Sequence, residues 1–154
     1  MMTDVLDRID REIEIQAPPD RVWRALTTAA DLAAWFKVAV EGEIAPGAEV
    51  WMTSTQSGYE GMRFVVRVVE MTAPRRFVWQ WHPGAVDPAV DYSREPWTTV
   101  TFTLQPSDKG TRLTVAETGF TEISLARRAK VYADNTGGWT AVVEWIRAYA
   151  EAAR

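Results

Sequence analysis

The chain has 154 residues, 47% of them hydrophobic and 25% charged, with a net charge of −4 at pH 7. This length suits one domain, which buries roughly 68–70% of its unfolded surface and needs no staple. Lys and Arg form no cluster, which disfavours a nucleic-acid partner, and the absence of Cys excludes disulfides, thiolate chemistry and Cys-based metal sites.

Eight Trp residues are many for such a chain. Indoles are bulky and rigid, so a small domain rich in them has an aromatic core or an aromatic-lined cavity. No apolar run reaches the ~20 residues of a membrane span. The opening MMTDVLDRIDREI lacks the apolar stretch of a secretory signal. A cytoplasmic location is therefore expected.

Residues 1–7 read as a loose leader, followed by a single domain over 8–153. From Arg8 to Gln16 the apolar residues Ile9, Ile13 and Ile15 recur as in a strand. Ala17-Pro18-Pro19-Asp20 ends that strand, and proline fits the first helical turn, where its missing N–H is not needed. RVWRALTT then places Val22, Trp23 and Leu26 on one side of a short helix. Asp31 is the expected N-cap of a second short helix, DLAAWF, which turns Leu32, Trp35 and Phe36 inward.

Strands follow in AEVWMTST after Gly47, in MRFVVRVVEMT after Gly61, and in RFVWQWH after the turn Ala73-Pro74-Arg75. Pro83 to Pro96 is rich in Pro, Asp, Gly and Ser and reads as a long loop. In WTTVTFTLQP, Val100, Phe102 and Leu104 share one face and Thr99, Thr101 and Thr103 the other. Ser107-Asp108-Lys109-Gly110 is a hairpin turn. In RLTVAETGF the inward face carries Leu113, Val115 and Glu117.

From Glu122 onward the spacing is helical, with Leu125, Ala129, Tyr132, Thr136, Trp139, Val143, Ile146 and Ala150 in one stripe. Gly137-Gly138 costs about 2 kcal/mol of helix stability against alanine. A kink or break near Asn135–Gly138 is expected, or else a close neighbour for which the glycines make room.

One strand, two short helices, an antiparallel meander and a long C-terminal helix make an α+β chain. The sheet's apolar face needs a cover, and the last helix is the element long enough to provide it. The expected architecture is a helix-grip: a curved antiparallel sheet wrapped around that helix.

Four stretches carry a family resemblance: APPDRVWRALTTAADLAAWF, PRRFVWQW, TTVTFTLQPSDKGTRLTVAETGF and GGWTAVVEWIRAYAE. Together they resemble START-like (SRPBCC) domains, in the branch similar to the activator of the heat-shock-protein-ninety ATPase. The resemblance implies a cavity between sheet and C-terminal helix that holds a small hydrophobic molecule. It also implies two other roles: a chaperone-linked interaction protein, or an enzyme acting on aromatic or polyketide-like substrates. The known activator carries a further N-terminal domain beside this one.

The residues expected to line such a pocket are Trp35, Trp51, Trp79, Trp81, Phe102, Glu117, Trp139 and Val143. The same side chains would equally serve as plain core. Tyr59, Tyr92 and Trp97 flank loops and are expected at its mouth. Glu117 is the sharpest candidate, because a carboxylate on an apolar face must find a partner or take up a proton. It would anchor a polar group of the ligand or act as a general base; alternatively it reaches solvent or pairs with a residue such as Arg63. His82, the chain's one histidine, has the parity opposite to Trp79 and Trp81 and belongs on the outside or at the strand end. One His, no Cys and no aspartate cluster of calcium-loop spacing lead to the expectation of no metal, and without a phosphate loop or dinucleotide glycine pattern no cofactor is expected; no GxSxG motif is present. A homodimer through Trp145, which lies off the main stripe, is also an expectation.

Overall fold

The structure is a computed structural model that describes residues 7–152, apart from residues 86 and 88. Residues 1–6 of the expected leader, and residue 153 at the domain's expected end, lie outside the described residues. Asp7 is tied down: Thr121 Oγ1 donates to its carboxylate at 2.7 Å.

The isoleucines set the first strand, β1 (Arg8–Ile15), with Ile9 and Ile15 buried. The charged residues of RIDREIEI interleave with them, and they suit an edge strand, where they discourage pairing with another chain. Pro18 and Pro19 then start α1 (Pro19–Thr27), whose Val22, Ala25 and Leu26 are buried. Its sister α2 (Ala29–Phe36) buries Leu32 and Trp35. Thr28, not Asp31, holds the N-cap position of α2. Asp31 instead accepts a hydrogen bond from the Tyr149 hydroxyl at 2.5 Å, which fastens α2 to the C-terminal helix.

A short strand not anticipated from the sequence, β2 (Val38–Glu41), follows and pairs with β3 (Glu49–Ser54). Four residues carry too little alternation to be recognised alone. The meander continues through β4 (Arg63–Thr72), β5 (Arg76–Trp81), β6 (Thr98–Ser107) and β7 (Gly110–Thr118). The sheet order is β1-β7-β6-β5-β4-β3-β2, antiparallel at every pairing. Register follows the apolar alternation. Phe102 stands opposite Phe77 and Val115, and Val100 opposite Trp79 and Glu117. A one-residue slip would turn every one of these away from the core.

The hairpin turn joins β6 to β7 with Ser107 opposite Gly110. Gly110 has φ +141°, and a Cβ there would stand 2.6 Å from the Ala17 carbonyl oxygen. That close approach is reinforced by Thr111 Oγ1, buried and donating to the same carbonyl at 2.7 Å.

The C-terminal helix α3 runs unbroken from Leu125 to Ala152, against the expected kink near Asn135–Gly138. Gly137 and Gly138 are both exposed, and a Cβ on either would meet nothing within 4 Å. They neither break the helix nor admit the sheet. The buried stripe is Val131, Trp139, Val142, Val143, Ile146 and Ala150, and Leu125, expected to begin it, is 80% exposed. A 3-10 turn at Phe120–Glu122 places Phe120 in the core before α3 begins. The helix packs on β1, α1 and α2, so sheet and short helices together close around its inner face. The helix-grip architecture is thus present.

Candidate functional site

Between α3 and the sheet lies a chain of aromatic rings. Phe77, Trp79 and Trp81 alternate inward along β5, and Phe102 faces them from β6. Trp79 lies 5.0 Å from Phe102 between ring centroids, and Trp139 of α3 lies 6.0 Å from both Phe102 and Trp81. Such edge and tilted pairs contribute about 0.5–1.5 kcal/mol each beyond their buried area. These rings fill the middle of the space between helix and sheet.

Glu117 sits at the end of this row and is fully buried. Its position follows from alternation: Leu113, Val115 and Glu117 point the same way along β7. Four donors converge on its carboxylate. Oε1 accepts from Trp139 Nε1 at 2.7 Å and Asn135 Nδ2 at 2.9 Å, and Oε2 from Trp81 Nε1 at 2.8 Å and Thr98 Oγ1 at 2.5 Å. An ionised carboxylate has about four acceptor sites, and these partners use them. Glu117 therefore neither reaches solvent nor pairs with Arg63, whose guanidinium is bonded to Glu41 at 3.2 Å. With its lone pairs engaged and its surface covered, it is a clamp joining β5, β6, β7 and α3. Trp79, by contrast, buries its Nε1 without a hydrogen-bond partner among the described residues.

A cleft of about 290 Å³ opens beside this clamp. Its walls are Phe36 of α2, Trp81 of β5, and Trp139, Val142 and Trp145 of α3. Gly138 and Ala141 form its α3 rim, and Gln56 and Tyr59 close it from the β3–β4 loop. Among the described residues no charged side chain lines it. Asn135, a third side chain bonded to Glu117, also reaches this surface.

Of the eight residues expected in a pocket, Trp81 and Trp139 line the cleft, and Glu117 stands behind them. Trp35, Trp79, Phe102 and Val143 are core residues, and Trp35 spends its indole N–H on the Ala25 carbonyl at 2.7 Å. Trp51 lies on the other side of the sheet, 38% exposed, with the Arg63 guanidinium 4.1 Å from its ring. Its parity on β3 is opposite to that of the buried Val50 and Met52.

Tyr59, Tyr92 and Trp97 do gather around one opening, but it is a separate one. They border a wide groove of about 980 Å³ on the outer side of the sheet, with Trp51, Arg63 and His82. Tyr59 alone of the three also touches the cleft. His82 stacks on Trp97 there, ring centroids 3.9 Å apart, and the Arg67 guanidinium lies 4.3 Å from the same indole. Burial pulls the His82 imidazole below its ordinary pKa of 6.5, against the pull of the nearby Pro96 and Glu95 backbone.

Sequence reasoning left Phe36, Asn135, Thr98 and Trp145 out of the site. Thr98 shares the inward parity of Val100, Phe102 and Leu104, so a polar residue on an apolar face was the available signal. Asn135 lies one helical turn before Trp139, on the same face. Trp145 is half-buried as a cleft wall, not a free surface ring, and the Lys37 ammonium rests 4.1 Å from its centre.

The family described as activator of Hsp90 ATPase homolog 1-like protein matches residues 16–151, nearly the whole chain. The chain belongs to this family. No curated protein matches it in sequence. Among solved structures, protein MLL2253 from Mesorhizobium loti is similar at 23% identity and a TM-score of 0.74, over 96% of this chain and 98% of that one. The Aha1 dimer from Colwellia psychrerythraea is similar at 20% identity and a TM-score of 0.67, over 94% and 96%. DynU16, a putative protein of the dynemicin biosynthetic locus, is similar at 23% identity and a TM-score of 0.72, over 95% of this chain and 48% of its own. At these identities the likeness speaks for the fold, and the cleft must be read from its own residues. Among the described residues no helix of this family member is long and apolar enough to cross a membrane.

Proposed function

We propose that this family member is a binding module whose cleft between α3, α2 and the sheet holds a small, largely apolar molecule. The observation that carries this reading is the wall composition. Phe36, Trp81, Trp139 and Trp145 surround a concave space of about 290 Å³ with no charged side chain among the described residues of its lining. That volume falls near the lower end of the ~300–1,000 Å³ typical of ligand sites, where apolar walls and a few polar groups are the rule. Asn135 and Gln56 supply those polar groups. A catalytic role for Glu117 finds less support, since a base must reach a substrate proton and this carboxylate is enclosed by its own donors.

The test is calorimetric titration with a two-ring aromatic probe, 1-ethylnaphthalene, against the wild type and Gly138→Leu. Gly138 is exposed, so leucine fits the helix while its side chain occupies the cleft rim. The wild type should bind, and the variant should bind at least about tenfold more weakly, a loss of about 1.4 kcal/mol, with unchanged or higher thermal stability. Equal affinity in both proteins, or no binding to the wild type, overturns the reading.

A further inference from the structure

The inference here rests on the cleft reading above and concerns the charge of the molecule that the cleft selects. Glu117 is completely buried, and among the described residues no Lys or Arg forms an ion pair with it. Its four partners are the neutral donors Trp81, Thr98, Asn135 and Trp139. Four donors on its two oxygens hold Glu117 as an acceptor, and neutral donors leave the charge of such a carboxylate uncancelled. A field of one sign therefore persists around the site, little screened in the low dielectric of the interior.

Three of those donors, Trp81, Asn135 and Trp139, are also cleft residues. The carboxylate thus stands one side chain behind the cleft wall. Among the described residues no charged group lines the cleft itself, and the Lys37 ammonium stands at its wall, 4.1 Å from the Trp145 ring. The indoles add to the field of Glu117: an N–H bonded to a carboxylate polarises the ring and leaves more negative charge on its faces, which are the surfaces a cation prefers.

Asn135 supplies a direction as well. Oε1 of Glu117 can only accept, so the amide must turn its nitrogen toward it, at 2.9 Å. That leaves Oδ1 as the group's acceptor, engaged by no donor among the described residues. An acceptor, two electron-enriched ring faces and an uncompensated negative charge all suit the same chemistry. Lys37 shows that the wall takes such a group, its ammonium resting on Trp145 without lining the cleft.

We propose that the cleft selects an organic cation: a flat, apolar body bearing a protonated amine whose N–H donates to Asn135 and whose charge lies against Trp81 and Trp139.

Two probes of equal shape separate charge from apolar contact: 1-naphthylmethylammonium and 1-ethylnaphthalene, titrated into the wild type at neutral pH and low salt. The ammonium should bind on the order of tenfold tighter, the scale expected of a partly desolvated cation–π contact. In Glu117→Gln that preference should fall below about threefold, with the neutral probe's affinity changed far less. Independently of how Glu117→Gln folds, the anion 1-naphthoate provides an arm in the wild type and should bind weakest of the three. A wild-type preference for the ammonium below about threefold, or tighter binding of 1-naphthoate, overturns the cation inference and leaves the cleft reading standing. Failure of every probe to bind overturns both.

Discussion

Trp79 of β5 and Trp139 of α3 both pack against Phe102, but their N–H groups meet different fates. Trp79 buries an N–H that bonds to nothing among the described residues, whereas Trp139 donates to a buried carboxylate at 2.7 Å. An unmet buried donor costs about 1–3 kcal/mol, and a bond to a charged group contributes about 1.5–3. Phenylalanine removes the N–H in both cases. Trp79→Phe should therefore cost little beyond its lost volume, while Trp139→Phe should be the more damaging by roughly 2 kcal/mol. Urea denaturation of the two variants measures the difference, and equal losses would contradict the clamp. His82 makes a second residue-scale claim. Burial holds its pKa below 6.5, so the unfolded chain binds this proton more readily than the folded one. The corresponding stability is whole above that ordinary value and is lost as pH falls through it toward the lower folded value. Four carboxylates held below their ordinary range, Asp10 by the bonded Arg8, Glu14 by Ser107 and Arg112, Glu70 by Thr72 and Arg76, and Asp91 by Ser93, act the same way, but only at pH below about 4.5. Between about pH 7.5 and 5.5 the wild type should lose urea resistance, and His82→Phe, which retains a ring on Trp97, should lose less. Identical pH slopes would contradict this assignment.

At the scale of elements, α3 shows what propensity omits. Gly137-Gly138 is a valid warning of a weak helix, but packing of the stripe from Val131 to Ala150 outweighs a penalty of about 2 kcal/mol. Since a Cβ at Gly137 meets open space, Gly137→Ala should raise stability by about 1 kcal/mol in thermal denaturation. Gly110→Ala is the contrasting case: at φ +141° its Cβ would stand 2.7 Å from the Ile15 oxygen and 2.8 Å from the Ala17 nitrogen. It should cost on the order of 2–4 kcal/mol. A destabilised Gly137→Ala would show that the helix needs its glycines for a reason the packing does not reveal. Strands β3 to β7 were legible because each alternates for six residues or more, and strict alternation has few alternatives. The four-residue β2 was not, because its pairing with β3 and the placement of α2 determine it more than its own composition. Asp31 was misread as a cap because sequence shows a carboxylate near a helix start, and not the Tyr149 hydroxyl that reaches it from 118 residues away.

At the scale of the whole molecule, the fold was legible and the site half so. Parity correctly separates Trp79 and Trp81 from His82 and turns Glu117 inward, since period-two alternation needs no tertiary knowledge. What parity lacks is the handedness of the sheet's cover: Trp51 alternates as cleanly as Val50 and Met52, yet it points away from the helix. It also cannot tell core from cleft. Trp79 and Trp81 share a face, but only Trp81 lies far enough along β5 to meet the opening beside α3. The partners of Glu117 come from β5, β6 and α3, so the clamp exists only once the chain has closed. The described residues form a cleft by Trp81, Trp139 and Trp145 and an outer groove by Trp51 and Trp97, and the proposed ligand is assigned to the cleft. The most direct test is a proton–nitrogen correlation spectrum of the tryptophan side chains during titration with 1-naphthylmethylammonium. The indole signals of Trp81, Trp139 and Trp145 should move together and saturate, while those of Trp51 and Trp97 stay in place. Movement confined to Trp51 and Trp97, or of none of the five, would contradict the account.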